Sequence, residues 1–365
     1  MPEVKIMPKG TTFKARKHES ILQAALKAGL SPNYGCSNGN CGDCLARLVS
    51  GEISKISHFD FVIPEHEKAS GHFLTCCHRA ENDIVIETAE ASAAADIPVQ
   101  NIEVRVKNIE HLNEQIIKLH LRTPRSKRLR FMAGQSVSLS AQTLIGASYI
   151  ANNTTSGATS GTTSDATSGI YPIASCPCDE MNLYFNIPNI PGDAFSEWLF
   201  AGGLKKNQKL NLTGPTGHFV LGNEISRPLL MISWHTGFAS LQSLMEHAIA
   251  LETENDIHLY RLSPTPAPQY LDNLCRSWSD AFDNIHYSPL KNRYTLMSEQ
   301  ADGVEILTEI AHRHTNLLHM DIYVVGPPSL IFAAKTLFTQ LGLPKDQLQC
   351  ETIALGFFDE FDKNI

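Results

Sequence analysis

Residues 34–44 read Tyr-Gly-Cys-Ser-Asn-Gly-Asn-Cys-Gly-Asp-Cys and carry more chemical information than any other part of the chain. Within them, Cys36, Cys41 and Cys44 have the spacing C-x4-C-x2-C, and Cys76 follows after a further 31 residues. That spacing is typical of the four thiolates that bind a plant-type [2Fe–2S] cluster. The sequence therefore predicts an iron–sulfur centre with these four cysteines as its metal ligands.

Three glycines in the same stretch suit such a centre. Four thiolates concentrate negative charge in a buried place, and backbone N–H groups directed at the sulfur atoms offset that charge. Gly35, Gly39 and Gly42 allow the chain to wrap closely, with positive φ where a donor must be aimed. Residues 34–44, called the cysteine loop below, are thus predicted to supply both ligands and donors.

Other uses of these cysteines explain the pattern less well. A tetrahedral zinc site usually pairs its cysteines as two C-x2–4-C units, and Cys76 does not complete such a pair. A disulfide framework is not expected with nine cysteines, an odd number, and no export signal. Buried structural cysteines would not need three interleaved glycines. Cys77 is an alternative fourth ligand, although Leu74, two places before Cys76, favours Cys76.

Length and composition limit the class of protein. A chain of 365 residues can form two or three domains, and 42% hydrophobic residues are enough for proper cores. The net charge of −8, without a basic stripe, argues against nucleic acid as a partner. The sequence lacks a signal-peptide pattern and any apolar run near the ~20 residues of a membrane span. We therefore expect a soluble cytoplasmic protein.

Residues 1–92 are predicted to form the first unit. The patterns indicate a hairpin, a short amphipathic helix ended by glycine, the cysteine loop and two later strands, at residues 4–6 and 12–15, 20–29, 34–44, 45–49 and 83–87. This order resembles the β-grasp ferredoxin domain over the whole segment, and the resemblance also favours Cys76. Small residues at 89–96 indicate a linker.

Residues 97–222 are predicted to form a second, antiparallel barrel unit. Alternating apolar and polar residues indicate strands at 102–107 and 115–121, with a third candidate at 131–139. Residues 151–169 are rich in Ser, Thr, Gly and Ala and have no large apolar side chain, so we expect a mobile loop there. The barrel pattern resumes at Tyr171, so this loop is not a domain boundary.

From here the chain resembles the iron–sulfur flavoprotein reductases that supply electrons to bacterial oxygenases, in the order ferredoxin, FAD domain, NAD(P) domain. In that family Phe-x-x-Gly-Gln precedes Arg-x-Tyr-Ser, whose side chains contact the flavin and its pyrophosphate. The first motif matches at Phe131, Gly134 and Gln135. The resemblance implies that the segment Tyr171, Pro172, Ile173 lines the flavin. It departs from the family because Gly169 replaces the arginine and Pro172 replaces the serine.

Gly192, Phe195 and Ser196 resemble the family's Gly-x-x-x-Ser segment, in which a helix N-terminus holds the FAD pyrophosphate. Free N–H groups and the helix dipole make such an end an anion site. The alternative is that Ser196 merely lies near the start of an ordinary helix. Residues 214–219, Gly-Pro-Thr-Gly-His-Phe, look like the turn that ends the flavin barrel in this family.

Residues 225–365 are predicted to form an α/β unit. Apolar strands at 228–233, 257–260 and 320–325 alternate with helices at 241–251 and 329–341, which implies a parallel sheet with a ligand at the carboxyl ends of its strands. The fold class is thus α+β and α/β multidomain. The dinucleotide fingerprint G-x-G-x-x-G is absent from the sequence.

The family's substitutes for that fingerprint, Gly-Gly-Thr-Gly-x-x-Pro and Cys-Gly-Pro, are partly kept. Thr236 and Gly237 remain in the first motif, and Gly326 and Pro327 remain in the second, so the resemblance implies that these four contact NAD(P)H. Trp234 and His235 replace the leading glycines. The departures leave open a reshaped nucleotide site or an α/β unit kept only for packing.

Three further features of the sequence bear on the site. Arg261 follows the second strand, where the family often has cofactor-selecting residues, or it is a solvated surface cation. Cys176 and Cys178 form only C-x-C, which we interpret as structural thiols. The family's terminal Glu-x-Phe appears as Glu351-Thr-Ile353.

The resemblance implies an enzyme that passes electrons from NAD(P)H through FAD to the cluster and on to a partner oxygenase or another redox protein. A hydride delivers two electrons and a [2Fe–2S] cluster accepts one, so a flavin belongs between them. The cysteine loop, with Ser37, Asn38 and Asn40, is the expected docking face for that partner. The alternative function is a ferredoxin-type carrier whose degenerate flavin and nucleotide domains serve as a docking scaffold.

Overall fold

The computed structural model describes residues 1–141, 167–222, 225–263, 269–291 and 300–353. Within these ranges the strands belong to three large sheets and one small one, which follow each other along the chain. The ferredoxin unit, the barrel unit and the α/β unit are named below after the sheet that each contains.

The ferredoxin unit combines a five-stranded sheet of order β2-β1-β7-β3-β5 with a two-stranded sheet of β4 and β6. Its elements are β1 (Glu3–Met7), β2 (Thr11–Lys14), α1 (Ile21–Lys27), β3 (Leu45–Ser50), β4 (Ile53–Lys55), α2 (Glu65–Ala69), β5 (His72–Leu74), β6 (His78–Ala80) and β7 (Ile84–Glu87). The predicted hairpin, helix and strands are present.

Local sequence explains why α1 lies directly before the cysteine loop. Ser20 caps its N-terminus by accepting from the N–H of Gln23, and the Gln23 side chain accepts in return from the Ser20 N–H. Buried apolar residues of α1 pack against β1 and β7. The chain then turns at Gly29, where φ is +74°, and enters the loop.

The barrel unit is a six-stranded antiparallel sheet of order β11-β10-β13-β8-β9-β12. Its elements are β8 (Gln100–Asn113), β9 (Ile116–Arg122), β10 (Ser136–Ala141), β11 (Thr167–Pro172), β12 (Asn182–Pro188), α3 (Ala194–Phe200) and β13 (Lys209–Thr216). Side chains from all six strands share one core, and the edge strands β11 and β12 contact each other. The sheet therefore curls into the predicted barrel.

Two predictions about this unit need correction. The third strand begins at Ser136, because Gly134 adopts φ +94° in a turn that separates Phe131 from the strand. Thr167 to Gly169 lie in β11, paired with β10, and are part of the sheet instead of a mobile loop. The remainder of the predicted loop, residues 151–166, lies outside the described residues.

The α/β unit is a parallel sheet of order β16-β15-β14-β17-β18. Its elements are β14 (Leu229–Trp234), α4 (Phe238–Ala250), β15 (Ile257–Ser263), α5 (Asp272–Ala281), β16 (Ile285–Lys291), α6 (Gln300–His312), β17 (Asp321–Gly326), α7 (Pro328–Gln340) and β18 (Leu348–Thr352). Strand order reverses between β14 and β17, where open α/β sheets bind ligands.

The units are joined in two ways. Ile116, Ala133, Phe219 and Leu221 of the barrel side belong to the same apolar core as α4 and one face of the parallel sheet. The ferredoxin unit instead contacts the barrel mainly through polar groups, described below. In the part of the chain that the structure describes, no helix is both long and apolar enough to cross a membrane.

Candidate redox site

The four predicted metal ligands are arranged as two pairs of cysteines. In the first pair, the Cys36 N–H donates to Cys41 Sγ at 3.3 Å. In the second pair, the Sγ atoms of Cys44 and Cys76 lie 3.2 Å apart, because β3 and β5 are adjacent and antiparallel. A [2Fe–2S] cluster takes four cysteine thiolates, and two close pairs of thiols fit that requirement.

Backbone donors surround the first pair. The N–H groups of Asn40 and Asn38 point at Cys36 Sγ, at 3.2 and 3.5 Å. Burial disfavours the Cys36 thiolate, but these N–H groups outweigh burial and hold the pKa of Cys36 below its ordinary value. The predicted role of the loop backbone as a donor to sulfur is therefore present in the structure.

The two thiols of the second pair affect each other's ionisation. The contact with Cys76 lowers the pKa of Cys44 to about 7 and raises the pKa of Cys76 above its ordinary range. Cys36, Cys44 and Cys76 are buried, whereas Cys41 is partly exposed. Cys41 is therefore the ligand nearest to solvent and to any protein that approaches the loop.

Glycine at position 39 is required by the surroundings of the loop. Gly39 has φ +85°, and a Cβ there would lie 2.4 Å from Phe59 Cβ and 2.7 Å from Cys77 Sγ. Gly42 is similarly placed against the ring of Phe61. Phe59 and Phe61 therefore pack directly against the backbone of the cysteine loop.

Replacing Gly39 by alanine is expected to cost roughly 2–5 kcal/mol, the sum of the positive-φ penalty and of overpacking. We expect Gly39→Ala protein to retain less than about half of the wild-type iron, measured per chain by colorimetric assay. Gly202→Ala is the matched control, because Gly202 has φ +75° and open space around it. Equal iron loss in both variants would mean that the positive-φ strain causes the loss, and that crowding around residue 39 does not.

The cysteine loop is fixed to residues 123–131 of the barrel, called the docking segment here. The N–H of Arg128 donates to the carbonyl of Gly35 at 2.7 Å, and the Tyr34 hydroxyl donates to the carbonyl of Leu129 at 3.2 Å. Asn38 donates its side-chain amide to the carbonyl of Arg125. Three successive parts of the loop therefore meet the same segment.

Arg130 supplies the strongest of these connections. Its guanidinium is buried and donates to the hydroxyl and carbonyl oxygens of Ser31 and to the side-chain oxygen of Asn33. Bonds from a charged donor are stronger than neutral ones. Arg130 thus ties the approach to the cysteine loop to the barrel.

A cavity of about 240 Å³ lies between the barrel and the carboxyl edge of the parallel sheet, and we call it the sheet-edge cavity. It brings together four of the predicted cofactor residues: Tyr171 and Pro172 from β11, and Thr236 and Gly237 from the turn after β14. Residues predicted for the flavin and residues predicted for the nucleotide therefore line one space, as transfer between the two requires.

The same cavity is lined by residues that were not predicted as site residues, among them Ser136, Asn186 and Glu351. Asn186 Oδ1 and Glu351 Oε2 are buried without a hydrogen-bond partner. Such orphan acceptors suit a ligand that brings its own donors. A polar residue within the apolar run of β12 was the available sequence signal for Asn186.

The other predicted cofactor residues do not line the sheet-edge cavity. Ile173, Phe195 and Ser196 are fully buried in or beside the barrel core. Gly326 and Pro327 end β17 next to the cavity edge, and Gly326 accepts from the N–H of Ile353, which does line it. Gly192 is exposed before α3 and does not line the cavity either, and the assignment of all ten residues to cofactor binding stays a prediction.

The N-terminus of α3 is already occupied by the protein's own carboxylates. Asp193 accepts from the Ser196 N–H at 2.9 Å, and Glu197 accepts from the Gly192 N–H at 2.8 Å. Ser196 donates its hydroxyl to the carbonyl of Pro188, and Tyr171 donates to Asp193. The predicted pyrophosphate contact there therefore remains untested and would have to displace these bonds.

The structure shows the surroundings of the two departures in the first nucleotide motif and of the cofactor-selecting candidate Arg261. Trp234 packs in the core on the α6 and α7 side of the sheet and does not line the cavity. Arg261 is neither a surface cation nor a cavity residue, because it is fully buried and stacks 3.8 Å from the Phe238 ring centre. His235 has φ +41°, and burial followed by the charge of Arg261 lowers its pKa to about 4.

Cys176 and Cys178 form a disulfide, so the interpretation of free structural thiols is wrong. A single proline separates them in a turn, which brings the two sulfur atoms together. The Cys176 N–H donates to Glu246 at 3.1 Å, so the turn is attached to α4.

The buried carboxyl of Glu351 predicts a pH-dependent effect on stability. Burial raises the pKa of Glu351, and Ser240 only partly opposes it. An acid whose pKa is raised by folding destabilises the fold once pH exceeds its unfolded value of about 4.3. Glu351→Gln should therefore raise the midpoint of thermal unfolding by about 2–4 °C at pH 8, and by less at pH 5. An equal change at both pH values would contradict this.

Comparison with known proteins agrees with this arrangement. Residues 4–81 match the family of 2Fe-2S iron-sulfur cluster binding domains. A Yersinia pestis protein named CDP-6-deoxy-L-threo-D-glycero-4-hexulose-3-dehydrase reductase is 27% identical, over 94% of this chain and 96% of its own. The reductase component of propane 2-monooxygenase from Mycolicibacterium smegmatis is also 27% identical, over 97% of both chains.

The fold as a whole is also found among solved structures. The crystal structure of the Amycolatopsis cytochrome P450 reductase GcoB aligns with a TM-score of 0.56 and 18% identity, over 97% of this chain and 99% of that one. The cofactors of the protein are a [2Fe–2S] cluster, FAD and NAD(P)H. With paired thiols in a matched cluster domain, and a barrel and parallel sheet enclosing one cavity, the chain is an oxidoreductase that is similar over nearly its whole length to reductase components containing such a domain.

Proposed function

We propose that this protein is the reductase component of an oxygenase system, which takes electrons from NAD(P)H and supplies them to a separate oxygenase. The units proposed for this task are residues 1–92, 97–222 and 225–365. When bound, FAD and the [2Fe–2S] cluster would convert the electron pair of a hydride into single-electron transfers. The use of NAD(P)H supports a cytoplasmic location.

The observation that carries the proposal is the position of the barrel. One side of it holds the cysteine loop through Arg128 and the residues just before the loop through Arg130, and another side lines the sheet-edge cavity through Tyr171 and Pro172. Electron transfer needs short separations, so a unit that contacts both places is what an internal relay requires. The proposed ligands of the cluster are Cys36, Cys41, Cys44 and Cys76.

We place partner docking on the exposed part of the cysteine loop. Asn40 and Asp43 are exposed, and Cys41 is partly exposed beside them. Asn38 is engaged with the docking segment instead, so the proposed docking face consists of the exposed loop residues outside that contact. Beside Cys41 lies a cleft of about 560 Å³ that also includes Lys127. Small, transient contact surfaces are typical of redox partners.

The alternative candidate for the electron acceptor is a sugar-nucleotide dehydrase, since the Yersinia pestis relative is named as the reductase of such an enzyme. The ferredoxin-type carrier remains the competing function. It draws support from the α3 N-terminus, where Asp193 and Glu197 occupy donors that a pyrophosphate would need.

Anaerobic spectroscopy tests the proposal. Protein purified without oxygen is analysed for iron and extracted flavin, and NADH and then NADPH are added in one cuvette. We expect two irons and one FAD per chain, and bleaching of the visible spectrum by one nucleotide. Two irons without flavin, and no bleaching, would contradict a reductase and leave the carrier. Reduction of a purified oxygenase or dehydrase component, each with the same reduced protein, then separates the two acceptors.

A further inference from the structure

A group of imidazoles and one carboxylate lies at the edge of the parallel sheet opposite the sheet-edge cavity. Asp256 precedes β15, His258 lies near its start, and His286 lies at the corresponding place in β16. His258 and His286 are paired in register, so their side chains leave the same face side by side. Asp256 is two residues before His258 and therefore shares that face.

The ligand atoms of these three residues converge. One ligand atom from each lies within 4.8 Å of those of the other two. His286 Nε2 is 3.4 Å from Asp256 Oδ1. Two ligands bound at about 2.0–2.1 Å to one tetrahedral ion lie roughly 3.3 Å apart. One pair is thus already at the separation an ion requires, and the other pairs, which are no more than 4.8 Å apart, need only a side-chain adjustment.

The surroundings hold the group in place and leave its outer side open. The rings of His258 and His286 are stacked with centres 4.6 Å apart, and His314 meets His258 edge-on at 4.5 Å. Tyr260 bonds to His314 Nε2 at 3.1 Å, which fixes that ring. Asp256 is exposed and His258 is half-buried, so an ion can enter from solvent.

The charge of Arg313 disfavours positive charge on His314, but that guanidinium is itself paired with a carboxylate. Arg313, the neighbour of His314 in sequence, pairs with Glu309 Oε1 at 2.6 Å. Asp256 contributes a negative charge. Two imidazoles with one carboxylate form a donor set that suits zinc and related d-block ions, whereas magnesium and calcium prefer oxygen ligands alone.

We propose that Asp256, His258 and His286 bind a divalent ion of the zinc type, with solvent in the remaining position. The ion joins β15 to β16 at their amino ends. This site is separate from the cysteines and from the cavity, which lies at the carboxyl edge of the same sheet. Its role is therefore structural: it stabilises the α/β unit and takes no part in electron transfer.

Calorimetric titration of the holoprotein tests the site. The protein is prepared without a histidine tag and titrated with ZnCl₂ and, separately, with MgCl₂, while the cluster absorbance is followed. We expect one zinc per chain, no magnesium binding, an unchanged cluster spectrum, and a higher thermal midpoint with zinc. No saturable zinc binding, or binding that bleaches the cluster, would overturn the proposal.

Variants locate the ion. His286→Gln and the nearly isosteric Asp256→Asn should each weaken zinc binding by at least about tenfold and remove the zinc-dependent rise of the thermal midpoint. His18→Asn is the matched control, because His18 is an exposed histidine of the ferredoxin unit. Unaltered affinity in both site variants would place the zinc elsewhere and overturn the assignment. Since His286 and Asp256 are exposed on the surface, we expect both variants to fold.

Discussion

Cys76→Ser protein is expected to contain less than about a tenth of the wild-type iron and to lose its visible absorption, whereas Cys77→Ser keeps both. The Sγ atoms of Cys76 and Cys44 lie 3.2 Å apart, which is close enough for both to bind the same iron as thiolates. Cys77 Sγ is 3.5 Å from Cys76 Sγ and packs against the backbone of Gly39. We therefore expect Cys77 to pack behind the cysteine loop and not to bind iron.

Iron and sulfide analysis of the two variants, purified side by side without oxygen, decides this assignment. Both substitutions remove one sulfur from a buried position, so Cys77→Ser controls for the change in packing. If Cys77→Ser lost the cluster and Cys76→Ser retained it, the fourth ligand would be Cys77. Loss of the cluster in both variants, with unchanged thermal stability of the barrel, would show that the cluster needs the packing of Cys77 as much as the Cys76 ligand.

Arg130→Met protein is expected to reduce its flavin at the wild-type rate and its cluster about tenfold or more slowly. Each bond from a buried guanidinium contributes roughly 1.5–3 kcal/mol, and Arg130 makes several to Ser31 and Asn33. A loss of about 3 kcal/mol shifts the balance between docked and undocked ferredoxin units by more than about 100-fold. Only the step that crosses from the barrel to the cysteine loop should suffer.

Stopped-flow absorbance after mixing with NAD(P)H separates the two steps. Arg125→Met is the matched control, because Arg125 lies in the same docking segment but is exposed, and only its carbonyl accepts from Asn38. Faster proteolysis within the linker at residues 89–96 should accompany the slow cluster reduction in Arg130→Met. Wild-type rates for both steps would mean that the docking segment does not control the transfer.

Local patterns were enough to predict much of this molecule. The cysteine loop is encoded within eleven residues, because ligand spacing and glycines act locally. Helix α1 carries its own capping box at Ser20 and Gln23. The strands β14 and β17 are continuous apolar runs, as parallel strands buried on both faces must be.

What the sequence did not reveal depends on partners that are distant in the chain. Gly169 lies in a Ser/Thr/Gly-rich stretch, yet it pairs with Leu139 in the sheet. Arg261 has the composition of a surface residue and becomes buried because Phe238 and Tyr270 supply ring faces for its guanidinium. Glu351 reaches the sheet-edge cavity only once β18 is placed beside β17. Each case is a tertiary contact that no local propensity records.

The apolar core shared by the barrel and the parallel sheet has a consequence for building hybrid reductases. A chimera joined near residue 225 would have to match Ile116, Phe219 and Leu221 to a foreign α4, and a poor match would open a hydrophobic core. A junction in the linker at residues 89–96 interrupts only the small apolar cluster of Ala91, Ile97 and Met132, and the grafted module must mainly offer acceptors for Arg130. Ferredoxin units should therefore be exchangeable between relatives far more readily than α/β units.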